Sequence, residues 1–240
     1  MKTEPALAVR DLQVRYGALR VLEGLSFDAL PGRLTALIGP NGAGKSTAFA
    51  CIAGAIRSSG GSVRFFGREL LRTPPYRIAD LGVVRTYQIV QTFADMTVLE
   101  GVTVGALLRR PRVADARDKA SAVLERVGLA GRARALGSTL TIAEKKRLEL
   151  ARALAAEPRV LLLDEVLAGL TPSEAKSAVE LVRSIVSEGV TIVMVEHVME
   201  ILMPLADHVV VLSAGRCIFD GAPQAAVADP AVVEAYLGRP

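Results

Sequence analysis

The eight residues Gly39-Pro40-Asn41-Gly42-Ala43-Gly44-Lys45-Ser46 restrict the fold more than any other part of the 240-residue chain. They match the pattern G-x-x-x-x-G-K-[ST] without a mismatch, a pattern that has meaning only where it leaves a strand and opens a helix. Both neighbours comply: residues 34–38 form a strand-like run, and residues 45–55 have the pattern of a helix. The glycines let the backbone curl so that its N–H groups converge on an anion, and the helix start adds the positive end of its dipole. The stretch therefore reads as a cradle for a polyphosphate. Lys45 would neutralise the outer phosphates, the Ser46 hydroxyl would ligate Mg2+, and Thr47 would bond an inner phosphate.

A second feature agrees with the first. Residues 160–163 are an apolar run that ends in two carboxylates, Asp164 and Glu165. A charge at the end of a buried strand is costly unless it is paired or holds a metal. Strand tips are where open α/β sheets place their ligands. Asp164 is accordingly expected to hold Mg2+ through water, and Glu165 to face the attacking water as general base.

The order of elements predicts the architecture. Residues 7–16 and 21–30 flank Gly17-Ala18 and suggest an antiparallel pair, with further short strands at 63–66 and 83–87. From about Phe93 to Leu154 helical patterns take over, including residues 114–127 and 139–154. Strand–helix alternation resumes with a strand at 160–163, a helix at 173–188 and a strand at 190–195. A hairpin then joins 209–212 to 217–219, and residues 223–237 read as two short helices. Alternating apolar strands and helices imply an α/β protein whose parallel sheet is covered on both faces. The expected organisation is one domain, 1–240. Residues 1–87 and 155–221 would form a core carrying an antiparallel β-subdomain, 88–154 a helical subdomain, and 222–240 a helical tail.

Composition excludes several alternatives. The formal net charge is +4, but the basic residues are scattered and aromatics make up only 4%, so no nucleic-acid partner is expected. The two cysteines, Cys51 and Cys217, have no metal-ligand spacing and read as small core residues of a reducing compartment. The first ten residues lack the apolar segment of a secretory signal. The longest apolar stretch, 190–212, is broken by Glu196, His197, Glu200 and Asp207, so it cannot cross a bilayer as one helix. A mean hydropathy of +0.36 suits a protein that docks on a membrane partner, and equally one with a core rich in Ala and Val.

Taken in order, these landmarks resemble the ATP-binding cassette ATPases over nearly the whole chain. The resemblance implies a RecA-like P-loop core with an N-terminal antiparallel β-subdomain and a helical insertion. It also implies that the chain binds and hydrolyses ATP with Mg2+. Tyr16 then lies where the family stacks adenine. Gln88, in Arg85-Thr86-Tyr87-Gln88, matches the loop glutamine that senses Mg2+ and water and links to the membrane subunit. Asp164 and Glu165 match the Mg2+ aspartate and the catalytic glutamate, and His197 the switch histidine at the terminal phosphate. His208 lacks such a context and reads as structural. Leu140-Thr141-Ile142-Ala143-Glu144 occupies the signature position, whose helix start addresses the nucleotide held by the opposite subunit. The basic residues of its first turns would add to that attraction. A head-to-tail pair of ATPase subunits follows.

The signature departs from the family's Leu-Ser-Gly-Gly-Gln. Thr141 keeps the hydroxyl and forms a capping box with Glu144. Ile142 and Ala143 replace glycines that allow close backbone approach, and Glu144 brings a negative charge towards an anion. Val166 stands where Pro is usual and Thr171 where Asp is usual. These changes fit an asymmetric pair of different ATPases, weaker at the site that relies on Thr141 to Glu144, and fit equally a family that tolerates such variation without asymmetry; a homodimer is also compatible with the family.

Residues 85–88 with 93–100, the ending 230–238 and the form of Gly169 to Pro172 resemble the ATPases of branched-chain amino acid importers. That implies transmembrane permeases as partners, a periplasmic solute-binding protein acting indirectly, and a peripheral position on the cytoplasmic face of the inner membrane. Ile89, Val90, Phe93, Met96, Val98 and Leu99 would line a groove for a permease helix, or else belong to the core of the helical insertion. Lipopolysaccharide-export ATPases share the tail and size but keep a fuller signature. Soluble cassette ATPases acting on DNA or ribosomes typically carry coiled-coil insertions or two cassettes, and this chain has neither.

Overall fold

The computed structural model describes residues 3–86 and 95–237. Tyr87, Gln88, Ile89, Val90 and Phe93 lie outside the described residues, and so does everything expected of them. The chain begins with β1 (Leu7–Tyr16), β2 (Leu19–Ala29) and β3 (Leu34–Ile38), followed by α1 (Lys45–Ile52), β4 (Gly60–Phe65), β5 (Arg68–Glu69), α2 (Pro75–Leu81) and β6 (Val83–Arg85). Three helices come next, α3 (Val98–Ala106), α4 (Val113–Arg126) and α5 (Ile142–Ala155). The chain then forms β7 (Val160–Asp164), α6 (Pro172–Ser187), β8 (Thr191–Val195) and α7 (Met199–Leu202). It closes with β9 (His208–Ser213), β10 (Arg216–Gly221), α8 (Pro223–Ala228) and α9 (Pro230–Leu237).

Two sheets result. One is antiparallel in the order β2-β1-β4-β5, and the other runs β10-β9-β3-β8-β7-β6. In the second sheet β9, β3, β8, β7 and β6 are parallel, and only the edge strand β10 is antiparallel. Every residue of β3, β7 and β8 is buried, as expected when both faces of a parallel sheet are covered. Alternation along the strands divides the core. Ile38, Leu161, Leu163, Met194 and Val211 face a cluster with α3, α4, α5 and α6 residues such as Val102, Leu124, Leu154 and Ile185. Leu37, Leu162, Val193, Val195 and Val210 face the opposite cluster, shared with Phe49 and Ile52 of α1 and with Leu12 and Leu25 of the antiparallel sheet. Among the described residues no helix is long and apolar enough to cross a membrane.

The expected β1–β2 pair is a two-residue hairpin, with Tyr16 opposite Leu19 and Gly17 at φ 59. Where structure and expectation differ, tertiary context is the reason. β4 begins at Gly60 rather than near residue 63, because Gly60 pairs with Gln13 of β1. Gly61 is required there, since a Cβ would meet the Asp11 carbonyl oxygen at 2.3 Å. Cys51 is buried as expected, but Cys217 is only partly buried, its thiol donating to the Phe219 carbonyl at a register irregularity in β10. Val98 is buried in the core and Leu99 packs against it, whereas Met96 is exposed. Two of the six candidate groove residues are thus committed to packing.

The approach of α3 to α5 is set by Gly105. A Cβ at this position would meet the Arg152 carbonyl oxygen of α5 at 2.4 Å. Gly105→Ala should therefore push the helices apart and lower unfolding free energy by about 2 kcal/mol, measured by equilibrium urea denaturation.

Candidate nucleotide site

The phosphate loop is a backbone construction. Gly39 leaves β3 at φ 150, and a Cβ there would lie 2.0 Å from the Leu212 carbonyl oxygen, so the passage beside β9 admits only glycine. Gly44, at φ 106, turns the chain into α1 against Leu22. The loop is tied down from the other side. The Gly215 amide, in the β9–β10 turn, donates to the Ala43 carbonyl at 3.1 Å, and the Glu23 amide of β2 donates to the Gly215 carbonyl at 2.8 Å. The N-cap of α1 is Gly44, with no side chain closing the helix start. Its first amides are thus left for an anion.

Lys45, buried at the start of α1, donates from Nζ to the Gly39 carbonyl at 2.7 Å and the Pro40 carbonyl at 2.9 Å. Burial pulls its pKa down, and the nearby Glu165 and Asp164 carboxylates oppose that shift. The lysine therefore lies in the field of the acidic strand tip. Asn41, Gly42 and Ser46 are exposed, Pro40 and Thr47 are partly buried, and Ala43 is buried.

Asp164 ends β7 and is 2% exposed. Its Oδ2 accepts from Arg85 Nη2 at 2.7 Å, and its amide donates to Thr86 Oγ1 at 3.2 Å. Its Oδ1 is buried with no hydrogen-bond partner. An orphaned carboxylate oxygen at a strand tip is a hard donor of the kind a divalent cation takes, so the residues present fit Mg2+. The Arg85–Asp164 ion pair was not foreseen. It joins residues 79 apart in sequence, and its only signal is the parallel pairing of Arg85 with Leu162, two residues before Asp164.

Glu165 follows at φ 50. Its amide donates to the Val195 carbonyl at 2.9 Å, and its Oε1 lies 2.7 Å from His197 Nε2. Glu196, between these partners in sequence, is 1% exposed, and its Oε1 accepts from the Leu167 amide at 2.6 Å. Burial raises the Glu196 pKa, with the Leu167 amide and the Lys146 charge opposing. The structure thus gathers Lys45, Asp164, Glu165 and His197 at one end of the sheet. Tyr16 stands apart at the end of β1 and is 54% exposed, accessible for stacking. His208, expected to be structural, pairs with Asp220 of β10. Tyr236 of α9 is 40% exposed; burial pushes its phenol pKa up while the Gly39 backbone opposes the shift.

The signature residues form a separate cluster. Leu140 is buried, and Thr141 is the N-cap of α5, where its hydroxyl accepts from the Glu144 amide and its amide donates to Glu144 Oε2. Ile142 is 66% exposed, and Ala143 is partly buried. One expectation is corrected: Glu144 is not a bare negative charge, because the capping box uses its carboxylate and Arg132 lies 3.0 Å away as an ion pair. Two basic residues of α5 are held within the chain: Lys146 bonds the Glu165 carbonyl at 2.6 Å, and Arg152 bonds Glu149 at 2.6 Å.

Comparison with known proteins agrees with this geometry. The ABC transporter family model matches residues 22–168, and a model described as branched-chain amino acid ATP-binding cassette transporter matches 216–240. The chain is 36% identical to the high-affinity branched-chain amino acid transport ATP-binding protein LivG of Salmonella typhimurium, covering 99% of each chain. It is equally similar, over the same shares, to the high-affinity branched-chain amino acid transport ATP-binding protein BraF of Pseudomonas aeruginosa. Among solved structures, the ADP conformation of MJ1267, an ATP-binding cassette of an ABC transporter, superposes with a TM-score of 0.89 at 28% identity, covering 99% of this chain and 100% of that one. A nucleotide-free cassette from an ABC transporter gives the same TM-score and identity, covering 98% and 99%. The phosphate loop, the acidic strand tip and this likeness over full length lead to one conclusion: the chain belongs to the ATP-binding cassette family of transport ATPases, with the RecA-like cassette fold.

Proposed function

We propose that the chain is the ATP-hydrolysing motor of an importer for branched-chain or related amino acids, and that Glu165 is its general base. The observation that carries the catalytic reading is the Glu165–His197 contact of 2.7 Å beside a buried Asp164 with one unsatisfied oxygen. The reaction is attack of water on the γ-phosphate of ATP. Catalysis of this kind is mostly positioning and charge stabilisation. Tyr16 stacks the adenine. The backbone of Gly39 to Gly44 and the start of α1 receive the phosphates, with Thr47 on an inner one. Lys45 exchanges its two carbonyl partners for phosphate oxygens. Glu165 accepts a proton from the attacking water as ADP leaves the γ-phosphorus, and His197 orients that carboxylate and contacts the terminal phosphate. Ser46, Asp164 and Gln88 would hold Mg2+, which when bound neutralises phosphate charge.

The names of the relatives and the match at 216–240 support the solute class. The likeness to those transport ATP-binding proteins supports a reading in which solute selection falls to permeases and a solute-binding protein and the cassette sits peripherally on the cytoplasmic side. A second cassette completes the ATP sites. The exposed Ile142 side chain at the start of α5 supports an asymmetric pair in which the site using Thr141 to Glu144 is the weaker.

Three measurements test these assignments, each in the reconstituted assembly. Glu165→Gln should lower turnover at least about 100-fold while ATP stays bound, read as phosphate release and retained nucleotide; wild-type turnover removes Glu165 from its role. Leucine with the cognate solute-binding protein should stimulate ATP hydrolysis, whereas stimulation only by an unrelated solute rejects the substrate class. Restoring glycine at both 142 and 143 should raise the hydrolysis rate about threefold or more, a change of roughly 0.7 kcal/mol or more in barrier, and an unchanged rate rejects the asymmetry.

A further inference from the structure

We infer that Lys146 is a positioning residue for Glu165: the signature helix of this chain reaches its own general base and holds it in the working conformation. The inference rests on the reading of Glu165 given above.

Glu165 is a non-glycine residue at φ 50, a left-handed conformation that persists only where the surroundings enforce it. Two backbone bonds enforce it here. The Glu165 amide donates to Val195, and the Glu165 carbonyl accepts from Lys146 Nζ at 2.6 Å. The left-handed turn directly after β7 aims the carboxylate at His197. Without the Lys146 bond one of these two restraints is lost, and relaxation towards ordinary φ would carry the carboxylate away from its partner.

Lys146 has no other evident reason to be where it is. It occupies the second turn of α5, on a helix whose polar face would ordinarily leave a lysine in water. Instead it is partly buried, and that burial lowers its pKa while the Glu196 and Glu165 carboxylates oppose the shift. Burying an ammonium is repaid only by charge-assisted hydrogen bonding and nearby opposite charge, and both are present. Glu196 completes the clamp. Its Oε1 holds the Leu167 amide, two residues beyond Glu165, and its neighbour His197 holds the Glu165 side chain. Residues 165–167 are therefore gripped by the end of β8 on one side and by α5 on the other. A single side chain links the helix proposed to face the partner's nucleotide to the base serving this chain's own.

The test compares Lys146→Met, Lys146→Arg and Glu165→Gln in the complete assembly. Lys146→Met should lower kcat about tenfold, with KM for ATP and equilibrium retention of ATP both within about twofold of wild type. Lys146→Arg keeps a charged donor and should recover at least half of the wild-type turnover. Wild-type kcat in Lys146→Met beside an inactive Glu165→Gln overturns the inference while leaving the role of Glu165 intact. Parallel loss of ATP retention and kcat in Lys146→Met overturns it too, because that marks a general structural role. Full activity in Glu165→Gln instead overturns the reading on which the inference stands.

Discussion

The end of the sheet that carries the acidic strand tip depends on the register between β7 and β8. The two strands pair in parallel through their whole length, with Asp164 opposite Val195 at the last rung. Because the register holds to that point, the next residues on each strand, Glu165 and Glu196-His197, emerge side by side. The Glu165 amide continues the ladder onto the Val195 carbonyl by one more bond, although its φ has already left the strand region. Side-chain period along a strand is two, so a slip of one residue would turn Asp164 from the strand tip into the hydrophobic cluster and place a leucine there instead. The buried leucines of β7 fix the register, since Leu161 and Leu163 belong to one core cluster and Leu162 to the other. Hydrophobic packing on two faces thus determines where the carboxylates appear.

That arrangement concentrates polar groups where water is scarce. Asp164, Glu196 and Lys45 are all buried. Each is made tolerable differently: Asp164 by Arg85, Glu196 by the Leu167 amide, and Lys45 by two loop carbonyls. Two carboxylate oxygens, Asp164 Oδ1 and Glu196 Oε2, stay without a hydrogen-bond partner. An unsatisfied buried oxygen costs about 1–3 kcal/mol, which is a large fraction of what holds a domain folded. Asp164 Oδ1 would recover that cost on the Mg2+ proposed for this site. Lys45 is likewise held in waiting, because its carbonyl partners occupy the donors that phosphates would otherwise receive.

What could be read from sequence follows the range of the interactions. β3 and β7 were legible because an apolar run and a chemical motif lie in the same few residues. The β9–β10 hairpin was legible from a short polar turn between apolar runs. By contrast β5, α2 and α7 span two, seven and four residues and carry too little periodicity to stand out. The contacts that organise the site are longer in range. Arg85 to Asp164 spans 79 positions, Glu165 to His197 spans 32, and Lys146 to Glu165 spans 19. No local pattern encodes such pairs. His197 was reached through family resemblance, and Arg85 and Lys146 were reached only through the folded chain. The basic face of α5 shows the difference well: its charge was evident, but which residue turned inward depended on where β7 ends.

The start of α5 shows how a local rule can oppose the role proposed for its position. A helix start attracts an anion through amides that lack intrahelical partners. Here the capping box occupies two donors itself, since Glu144 Oε2 takes the Thr141 amide and Thr141 Oγ1 takes the Glu144 amide. The Lys145 amide is already used within the helix, on the Thr141 carbonyl. The amides of Ile142 and Ala143 remain, and both belong to residues with a Cβ, one of them a large exposed β-branched side chain. A glycine pair would present the same two amides without that obstruction. The cap strengthens the helix by about 1 kcal/mol while narrowing what the helix start can offer a phosphate. An ATPase pair with one such helix start therefore has two physically different nucleotide sites, even where the phosphate loops of both are intact.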